Sequence, residues 1–478
     1  MKYGLIGEKL GHSFSVPIHN AFGNSDYVLK EIPKGELPDF MKAQDFEGIN
    51  VTIPYKQDVM PYCILDDAAK EIGAVNTIVK RNGKLYGYNT DAFGLSALID
   101  KTLCEGIGEK EFTNGESAVI LGAGGTCKTA IYVLKQKKVS SIYVLARDAK
   151  KAEETLAGKN VKVFSIEKNE NGNYPECIRN AEILINTTPV GMYPKADNMP
   201  VDLHQFTKLQ CVFDVVYNPL TTRLVDTARQ MGIPAKNGLY MLVMQAVKAE
   251  ALFFEDKDNG LINLINDIPE KLSDKNSGLH NENIDSEKLS KEDREIVLRK
   301  VMKEAGDRVY HDILCKQENI VLIGMPGSGK STVGQLLAKE MNRDFVDTDT
   351  EFEKTYSMTP AACIENEGEE EFRKKETEVV RTVTSKNSLV IATGGGVVTR
   401  PENVKLCKQN GKVIYIKRDI SNLSSEGRPL SKGDGAIERL YESRKHLYEG
   451  AADYIVEVTE GKPEDAADFI FGSINSSK

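Results

Sequence analysis

The chain has 478 residues, 40% of them hydrophobic and 28% charged, which is about three domains of globular chain and excludes a fibrous or disordered protein. Its 62 Lys and Arg against 71 Asp and Glu leave a net charge of −9, so a general nucleic-acid or anionic-membrane surface is excluded while local basic sites for small anions remain open. The eight cysteines (63, 104, 127, 177, 211, 315, 363 and 407) stand singly, without the spacing of a zinc site or disulfide framework. The opening Met1-Lys2-Tyr3-Gly4-Leu5-Ile6-Gly7-Glu8 lacks a signal-peptide core, and no stretch offers about 18 uninterrupted apolar residues. A cytoplasmic protein with no membrane and no nucleic-acid partner is expected.

In chain order, the first hundred residues carry a polar constellation. Ser13 and Ser15 are two apart, Thr52 and Lys56 lie in Asn50-Val51-Thr52-Ile53-Pro54-Tyr55-Lys56, and Asn76 and Asp91 sit in GAVNT and GYNTD. Hydroxyl, amide, ammonium and carboxylate groups together suit a polyhydroxylated acid. Reducing a ketone by hydride needs a proton donor at the nascent alkoxide, and a Lys held beside an Asp is one way to provide it. The competing reading of Asn76 and Asn89 is that they cap turns. His12 and His19 show no carboxylate or serine partner and read as structural.

Four short apolar runs follow, Ser117–Leu121, Ser141–Leu145, Ile183–Asn186 and Val212–Val216, separated by helix-length pieces. They predict a parallel βαβ sheet. Leu121 leads into Gly122-Ala123-Gly124-Gly125-Thr126 and a helix over Cys127–Lys137, so Gly122, Gly124 and Gly125 place amides near a pyrophosphate at a helix N-terminus. Arg147 favours the 2′-phosphate of NADP and its neighbour Asp148 the bare ribose of NAD. The two argue in opposite directions, with a modest lean to NADP.

From Glu270 to Lys316, 21 of 47 residues are charged, and Ser273–Lys288 has only Leu279 and Ile284 as aliphatics. Such a stretch buries no core. Its second half, Ser290–Leu314, spaces Ile296, Val297, Val301, Ala305, Val309 and Ile313 three to five residues apart apart from one adjacent pair, predicting an amphipathic helix. Ser290 with Asp293 gives it a weak capping start. The surface that receives its apolar stripe stays open: either flanking domain or a second copy of the chain.

Asn319–Ile323, Phe345–Val346, Leu389–Ala392 and Lys412–Ile416 predict a second, separate α/β sheet. Ile323 runs into Gly324-Met325-Pro326-Gly327-Ser328-Gly329-Lys330-Ser331, a G-x-x-x-x-G-K-[ST] loop in the strand-to-helix setting that cradles phosphates. Gly327, Ser328, Gly329, Lys330, Ser331 and Thr332 are the expected ATP contacts, with Lys330 reaching the β- and γ-phosphates and the Ser331 hydroxyl suited to Mg²⁺. Asp347 and Asp349 follow a strand end, one for the metal's water and one for a substrate hydroxyl. Arg373, the Gly394-Gly395-Gly396 surface, Arg428 and Arg444 complete a setting for a small acidic, hydroxyl-rich acceptor. The plainer reading of Arg373 and Arg444 is a surface ion pair.

Residues 319–460 resemble shikimate kinase, through GMPGSGKSTVG, FVDTD, GEEEFRKKE, GGGVV, GRPL and the R-x-x-x-Y ending in Tyr448. The resemblance implies that Asp349, Arg373, Gly395, Gly396 and Arg444 bind shikimate, that Ser331 and Asp347 manage Mg²⁺, and that Arg428 closes over the phosphates from a lid. Asp419–Leu430 is short for that lid and lacks the further Arg usual near the adenine. Residues 1 to about 258 resemble shikimate dehydrogenase, through NVTIPYK, GAVNTIVKRNGKLYGYNTDAFG, NTTPVGM, DVVYNPLTTRL and NGLYMLVMQA. That resemblance implies a catalytic Lys56 and Asp91, a substrate positioned by Ser13, Ser15, Thr52, Asn76 and Gln245, and a cofactor along Gly122, Gly124, Gly125, Arg147, Thr187 and Gly238. Two departures stand out: the usual Ser-x-Ser-Pro reads Ser13-Phe14-Ser15-Val16-Pro17, and Ala146 replaces an Asn.

The whole is read as an α/β chain. Residues 1–100, with returning helices 238–258, form a substrate lobe, and 101–237 form a Rossmann-like NADP lobe. Residues 259–318 are a charged linker, and 319–478 a P-loop kinase domain of α/β/α layers. The expected activity is bifunctional: NADPH-dependent reduction of 3-dehydroshikimate, then phosphorylation of shikimate from ATP and Mg²⁺. Alternatives are a quinate-preferring or NAD-dependent first domain, and a catalytically silent shikimate sensor. Oligomeric state is not legible.

Overall fold

The computed structural model describes residues 1–11, 13–106, 108, 112, 115–167, 172–254, 291–420, 423, 436–458 and 462–476. His12, the linker through Ser290 and Arg428 with its lid lie outside the described residues. The chain divides into two units: Met1–Tyr217 with Thr222–Ile313, and Leu314–Lys478 with Asn218–Thr221.

The first unit holds two sheets. One is mixed, in the order β2-β1-β3-β5-β6-β4, built from β1 (Tyr3–Gly7), β2 (Tyr27–Glu31), β3 (Gly48–Val51), β4 (Ile64–Leu65), β5 (Thr77–Arg81) and β6 (Lys84–Tyr88). β1 pairs in parallel with β2 and β3, whereas β5 is antiparallel to β3 and β6. Asn82 and Gly83 turn the β5–β6 hairpin with φ of 49° and 73°, the left-handed pair that a tight two-residue hairpin demands.

The second sheet is all parallel, β12-β11-β10-β7-β8-β9. Its strands are β7 (Ser117–Leu121), β8 (Ser141–Ala146), β9 (Lys162–Ser165), β10 (Ile183–Asn186), β11 (Cys211–Asp214) and β12 (Ala235–Lys236). β11 ends at Asp214 rather than at Val216, because the Val216 amide turns to the Asp214 carboxylate at 3.0 Å. Counted from β7, this is the doubly wound order whose ligand crevice opens at the carboxyl ends of the central strands.

Helices α1 (Ser15–Ala21), α2 (Thr90–Gly106), α3 (Gly125–Gln136) and α4 (Leu239–Phe253) serve the two lobes. α2 leaves the first sheet for the second and α4 returns beside it, the pair closing tightly where Gly94 meets the Met241 backbone. A side chain at 94 would collide there.

Helix α5 (Lys291–Gln317) is the expected amphipathic element, and the first unit receives its stripe. Val301, Ala305, Val309 and Ile313, each four residues apart, are buried together with Met302. Gly306 admits the Met244 side chain of α4. The Asp307 carboxylate accepts bonds of 2.9 Å from both Lys101 and the Tyr240 hydroxyl, and Tyr310 stands edge-on to Tyr240 at 5.2 Å.

The second unit is a five-stranded parallel sheet, β14-β15-β13-β16-β17. It comprises β13 (Asn319–Ile323), β14 (Asp344–Asp347), β15 (Leu389–Ala392), β16 (Gly411–Arg418) and β17 (Tyr454–Val458). β16 outruns its expected end because β17 continues the ladder to the Arg418–Val458 pair. The helices that matter for chemistry are α6 (Lys330–Met341), α7 (Thr348–Tyr356), α8 (Glu369–Thr384) and α9 (Ala436–Ala451). No helix among the described residues is long and apolar enough to cross a membrane.

Met302→Ala removes a buried side chain from the α5 seat and should cost the first unit about 2–5 kcal/mol. Calorimetry of the full chain should show the first-unit transition moving down while the second-unit transition stays in place. An unmoved first transition would mean that α5 contributes nothing to that unit.

Candidate active sites

In the first unit, Lys56 follows β3 on a turn anchored by the Val75 amide, which donates to the Lys56 carbonyl at 2.8 Å. Its ammonium donates to the Asp91 carboxylate at 2.6 Å, with side chains 30% and 20% exposed. The pair is therefore formed and still open to a ligand. Asp91 lies in the first turn of α2, where the helix dipole favours a carboxylate. Asn89 caps that turn, its side-chain oxygen accepting the Ala92 amide at 3.3 Å, so the capping reading holds for Asn89.

Asn76 grips the same turn from the other side. Its oxygen accepts the Thr90 amide at 2.7 Å and its nitrogen donates to the Thr90 hydroxyl at 3.0 Å. The Thr90 hydroxyl also lies 3.4 Å from the Gln245 side-chain oxygen on α4. The Val51 amide donates to the Asn76 carbonyl at 2.8 Å, placing Thr52 alongside. Ser13 accepts the Ser15 amide at 3.2 Å, tying the two serines into the entry of α1. The structure thus joins Lys56, Asn76, Asp91 and Gln245 through bonded neighbours. His19 corrects the sequence reading, for it does have a carboxylate partner, Glu250, brought from α4 across 231 residues.

The glycine-rich turn after β7 is built for close approach. Gly122 has φ 92°, and a Cβ there would sit 2.8 Å from the Thr188 methyl, whereas Cβ atoms on Gly124 and Gly125 would meet open space. Gly124 precedes α3, so amides at that helix start face outward, a fit for a dinucleotide pyrophosphate. Thr187 bonds the Leu121 carbonyl through both its amide (3.0 Å) and hydroxyl (2.6 Å), and Gly238 is required by packing, since a Cβ would collide with the Val215 backbone. Arg147 is exposed, while Asp148 spends its carboxylate capping the next helix through the Lys151 amide at 3.0 Å.

Asp214, to which the sequence reading gave no role, holds the neighbouring loop. It is fully buried and accepts bonds from Thr222 (2.7 Å), Asn186 (2.9 Å) and the Val216 amide (3.0 Å). Burial pushes its carboxyl up to about 6, against the pull of those bonds. Asn186 in turn accepts from the Thr188 amide and hydroxyl at 3.0 and 2.7 Å.

In the second unit, Gly324, Gly327 and Gly329 take φ of 151°, 84° and 91°, the conformations that wrap a backbone around phosphate oxygens. Lys330 reaches back to the Gly324 and Met325 carbonyls at 3.0 and 2.9 Å. Ser331 and Thr332 are exposed on the first turn of α6, whereas the Ser328 side chain is buried. The Ser331 hydroxyl donates to Asp347 at 2.6 Å, and the other Asp347 oxygen accepts the Asp349 amide at 3.0 Å. Two adjacent hard oxygen donors fit Mg²⁺.

Gly394–Gly396 form a surface over which charged groups converge. A Cβ on Gly394 would lie 2.8 Å from the Asp349 carboxylate, and one on Gly396 would enter the Arg373 guanidinium. The Gly395 carbonyl accepts from Arg444 (3.1 Å) and the Tyr448 hydroxyl (2.5 Å). Arg373 and Arg444 are only 6% and 8% exposed, so they are not a surface ion pair. Arg373 is held by Glu376 at 2.9 Å and Glu369 at 3.1 Å. Burial pushes the Glu376 carboxyl up and Arg373 pulls it down.

A doubly wound sheet with a glycine turn, carried in one unit with a Lys–Asp pair, defines a dinucleotide-dependent oxidoreductase, and the P-loop with its arginines defines a small-molecule phosphotransferase. Family models match at residues 5–78 (Shikimate dehydrogenase substrate binding domain), 107–199 (Shikimate / quinate 5-dehydrogenase) and 326–475 (Shikimate kinase). The NADP(+) shikimate dehydrogenase of Clostridium perfringens is 38% identical over 260 residues, covering 52% of this chain and 91% of that relative. Its Clostridium beijerinckii counterpart is 39% identical over 263 residues, covering 53% and 92%. A solved shikimate kinase from Acinetobacter baumannii in complex with shikimate is 35% identical, covering 35% of this chain and 98% of that one with a TM-score of 0.34. The chain belongs to the shikimate dehydrogenase family and carries a shikimate kinase domain after it.

Because the folded Asp214 carboxyl sits above its ordinary value of 3.8, its contribution to stability is complete below that pH and is lost as pH rises through about 6. Asp214→Asn should flatten this loss, the two proteins diverging by on the order of 3 kcal/mol between pH 4 and 7. Urea unfolding of the first unit at several pH values checks it; parallel pH profiles would contradict the assignment.

Proposed function

We propose that the first unit reduces 3-dehydroshikimate to shikimate with NADPH and that the second phosphorylates shikimate at a ring hydroxyl from ATP with Mg²⁺. The carrying observation is that both reactive sets are complete on one chain: the 2.6 Å Lys56–Asp91 pair, and Asp349 with Arg373 and Arg444 around Gly394–Gly396 beside the P-loop. A silent sensor has no use for these proton-handling groups. Within this reading, residues 1–100 and 238–258 form the substrate lobe, 101–237 the cofactor lobe and 319–478 the kinase. The seat of α5 supports counting residues through Ile313 with the dehydrogenase.

NADPH supplies the hydride and ATP the phosphoryl group, with Mg²⁺ offsetting phosphate charge. In the reduction, the carbonyl carbon gains the hydride while Lys56 passes its proton to the oxygen, later regained from solvent. Asp91 holds the Lys56 ammonium in line and accepts a substrate hydroxyl. Ser13, Ser15, Thr52, Asn76 and Gln245 hold the remaining polar groups of the acid. An exposed Arg147 beside an Asp148 already used as a cap favours NADP over NAD. In the phosphorylation, Asp349 orients the attacking hydroxyl and takes its proton as the new P–O bond forms and the bond to the ADP oxygen breaks. Lys330 and, from the lid, Arg428 counter the developing charge, and Arg373 and Arg444 hold the substrate carboxylate.

Lys56→Ala should lower NADPH oxidation about 100- to 10,000-fold while sparing shikimate phosphorylation, and Lys330→Ala should do the reverse. If either substitution silences both reactions equally, or if the chain given 3-dehydroshikimate, NADPH and ATP forms no phosphorylated product, the reading is wrong. Initial rates with quinate and with NADH decide the alternative substrate and cofactor.

Gly396→Ala drives a methyl into the Arg373 guanidinium. The KM for shikimate in the kinase assay should rise roughly tenfold, the equivalent of about 1.4 kcal/mol, with dehydrogenase rates unchanged.

A further inference from the structure

Three parallel strands of the cofactor lobe end in one row: Leu121 of β7 pairs with Asn186 of β10, and Asn186 pairs with Asp214 of β11. Gly122 and Thr187 follow the first two strand ends directly, and the loop after the third meets Gly238. All three are positions at which the dinucleotide is expected to lie, and adjacent carboxyl ends of parallel strands are where a doubly wound sheet seats its ligand. Asn186 and Asp214 are themselves fully buried. Neither is open to a cofactor, and the mechanism above uses neither.

Their bonds run outward to those loops. One Asp214 oxygen accepts from the Asn186 side chain at 2.9 Å and from the Val216 amide at 3.0 Å, and the other accepts the Thr222 hydroxyl at 2.7 Å. With its nitrogen held there, Asn186 turns its oxygen to the Thr188 amide and hydroxyl, at 3.0 and 2.7 Å. The Thr188 hydroxyl in turn accepts the Val190 amide at 3.2 Å, and the Asn186 nitrogen also donates to the Val190 carbonyl at 3.3 Å, which closes the loop after β10 on itself. The Thr188 methyl then stands against the glycine turn, 2.8 Å from where a Cβ on Gly122 would be. On the other side, the Val216 carbonyl accepts the Gly238 amide at 3.1 Å, at the entry to α4. One carboxylate thus holds both the loop that backs the glycine turn and the loop that meets Gly238.

We propose, resting on the dehydrogenase reading above, that Asp214 is a positioning residue for the dinucleotide: through Asn186 and Thr188 on one side and Val216 on the other, it fixes the two loops that border the cofactor crevice. It supplies acceptor geometry rather than charge, since its three donors are neutral. Without it, three buried donors lose their partner and Asn186 is free to turn, releasing Thr188 from the glycine turn. The Lys56–Asp91 pair stands on other elements, the turn after β3 and the start of α2.

The test uses Asp214→Ala, Asp214→Asn and Thr188→Val in the full chain, with kinase turnover on the same polypeptide as the measure of protein amount and the first-unit melting transition as the measure of its fold. Asp214→Ala should raise the KM for NADPH roughly tenfold, the size of one lost hydrogen bond of ordinary strength, leaving kcat and the KM for the cyclic acid within about threefold. Asp214→Asn should bring the KM for NADPH back to within about twofold of wild type, because an amide oxygen still accepts from Asn186 and Val216 while its nitrogen faces the Thr222 hydroxyl. Thr188→Val keeps the shape of a half-buried side chain and removes only its hydroxyl, so it carries the test alone if Asp214→Ala does not fold. It should raise the KM for NADPH about three- to tenfold, and add little in the Asp214→Ala background. An Asn variant as impaired as the Ala variant, equal losses for NADPH and acid, or an unchanged KM for NADPH in Thr188→Val would each overturn the assignment. Wild-type chain that fails to reduce 3-dehydroshikimate with NADPH would instead overturn the reading on which the proposal rests, and the proposal with it.

Discussion

The first turn of α2 is the constraint on which the dehydrogenase pocket depends. Thr90 donates its amide to the Asn76 oxygen and accepts from the Asn76 nitrogen at its hydroxyl, Asn89 closes the turn by capping Ala92, and Asp91 is thereby presented to Lys56. Backbone donors at a helix start must find partners when buried. Here the partners are side chains of the substrate lobe, so satisfying the helix and aiming the carboxylate are one event. Because α2 also leads from the first sheet to the second, the same turn sets where the cofactor lobe begins.

The kinase solves the analogous problem with backbone. Gly394–Gly396 carry no side chains, so Asp349 and Arg373 occupy the space that Cβ atoms on Gly394 and Gly396 would need, and Arg444 donates to the Gly395 carbonyl. Burying two guanidiniums is costly unless they are paired. Glu376, Glu369 and the Gly395 carbonyl meet that demand and hold the forks rigid. Ser331 and Asp347, bonded to each other at 2.6 Å, show how the P-loop and the end of β14 are brought into register.

What was legible in the sequence was local. Ser117–Leu121, Ile183–Asn186, Asn319–Ile323 and Leu389–Ala392 are strands to the residue, because each is a short apolar run buried on both faces and bounded by glycine or polar residues. The mixed sheet was not legible: β3 carries Asn50 and Gly48 in its ladder, and β2 is buried only at Tyr27. The same division runs through the sites. Glycine loops and the residues inside short continuous motifs could be named, since their chemistry depends on near neighbours in the chain. Asp214, Glu250 and Asp307 could not, because each acquires its role from a partner that only folding supplies, as with the 231 residues between His19 and Glu250. The amphipathic stripe of α5 was visible, while the Met244, Tyr240 and Lys101 surface that receives it was spread over two other helices.

The seat of α5 also bears on how the two enzymes were joined. A polypeptide ended at Phe254 would leave Met244, Val247 and Tyr240 facing water, an oily strip beside a Lys101 that keeps only Glu105 of its two carboxylate partners. The seam between the enzymes therefore falls near Ile313, not in the hydrophilic stretch that looks like the natural place to cut. Anyone separating the two halves as independent catalysts must leave that helix with the first.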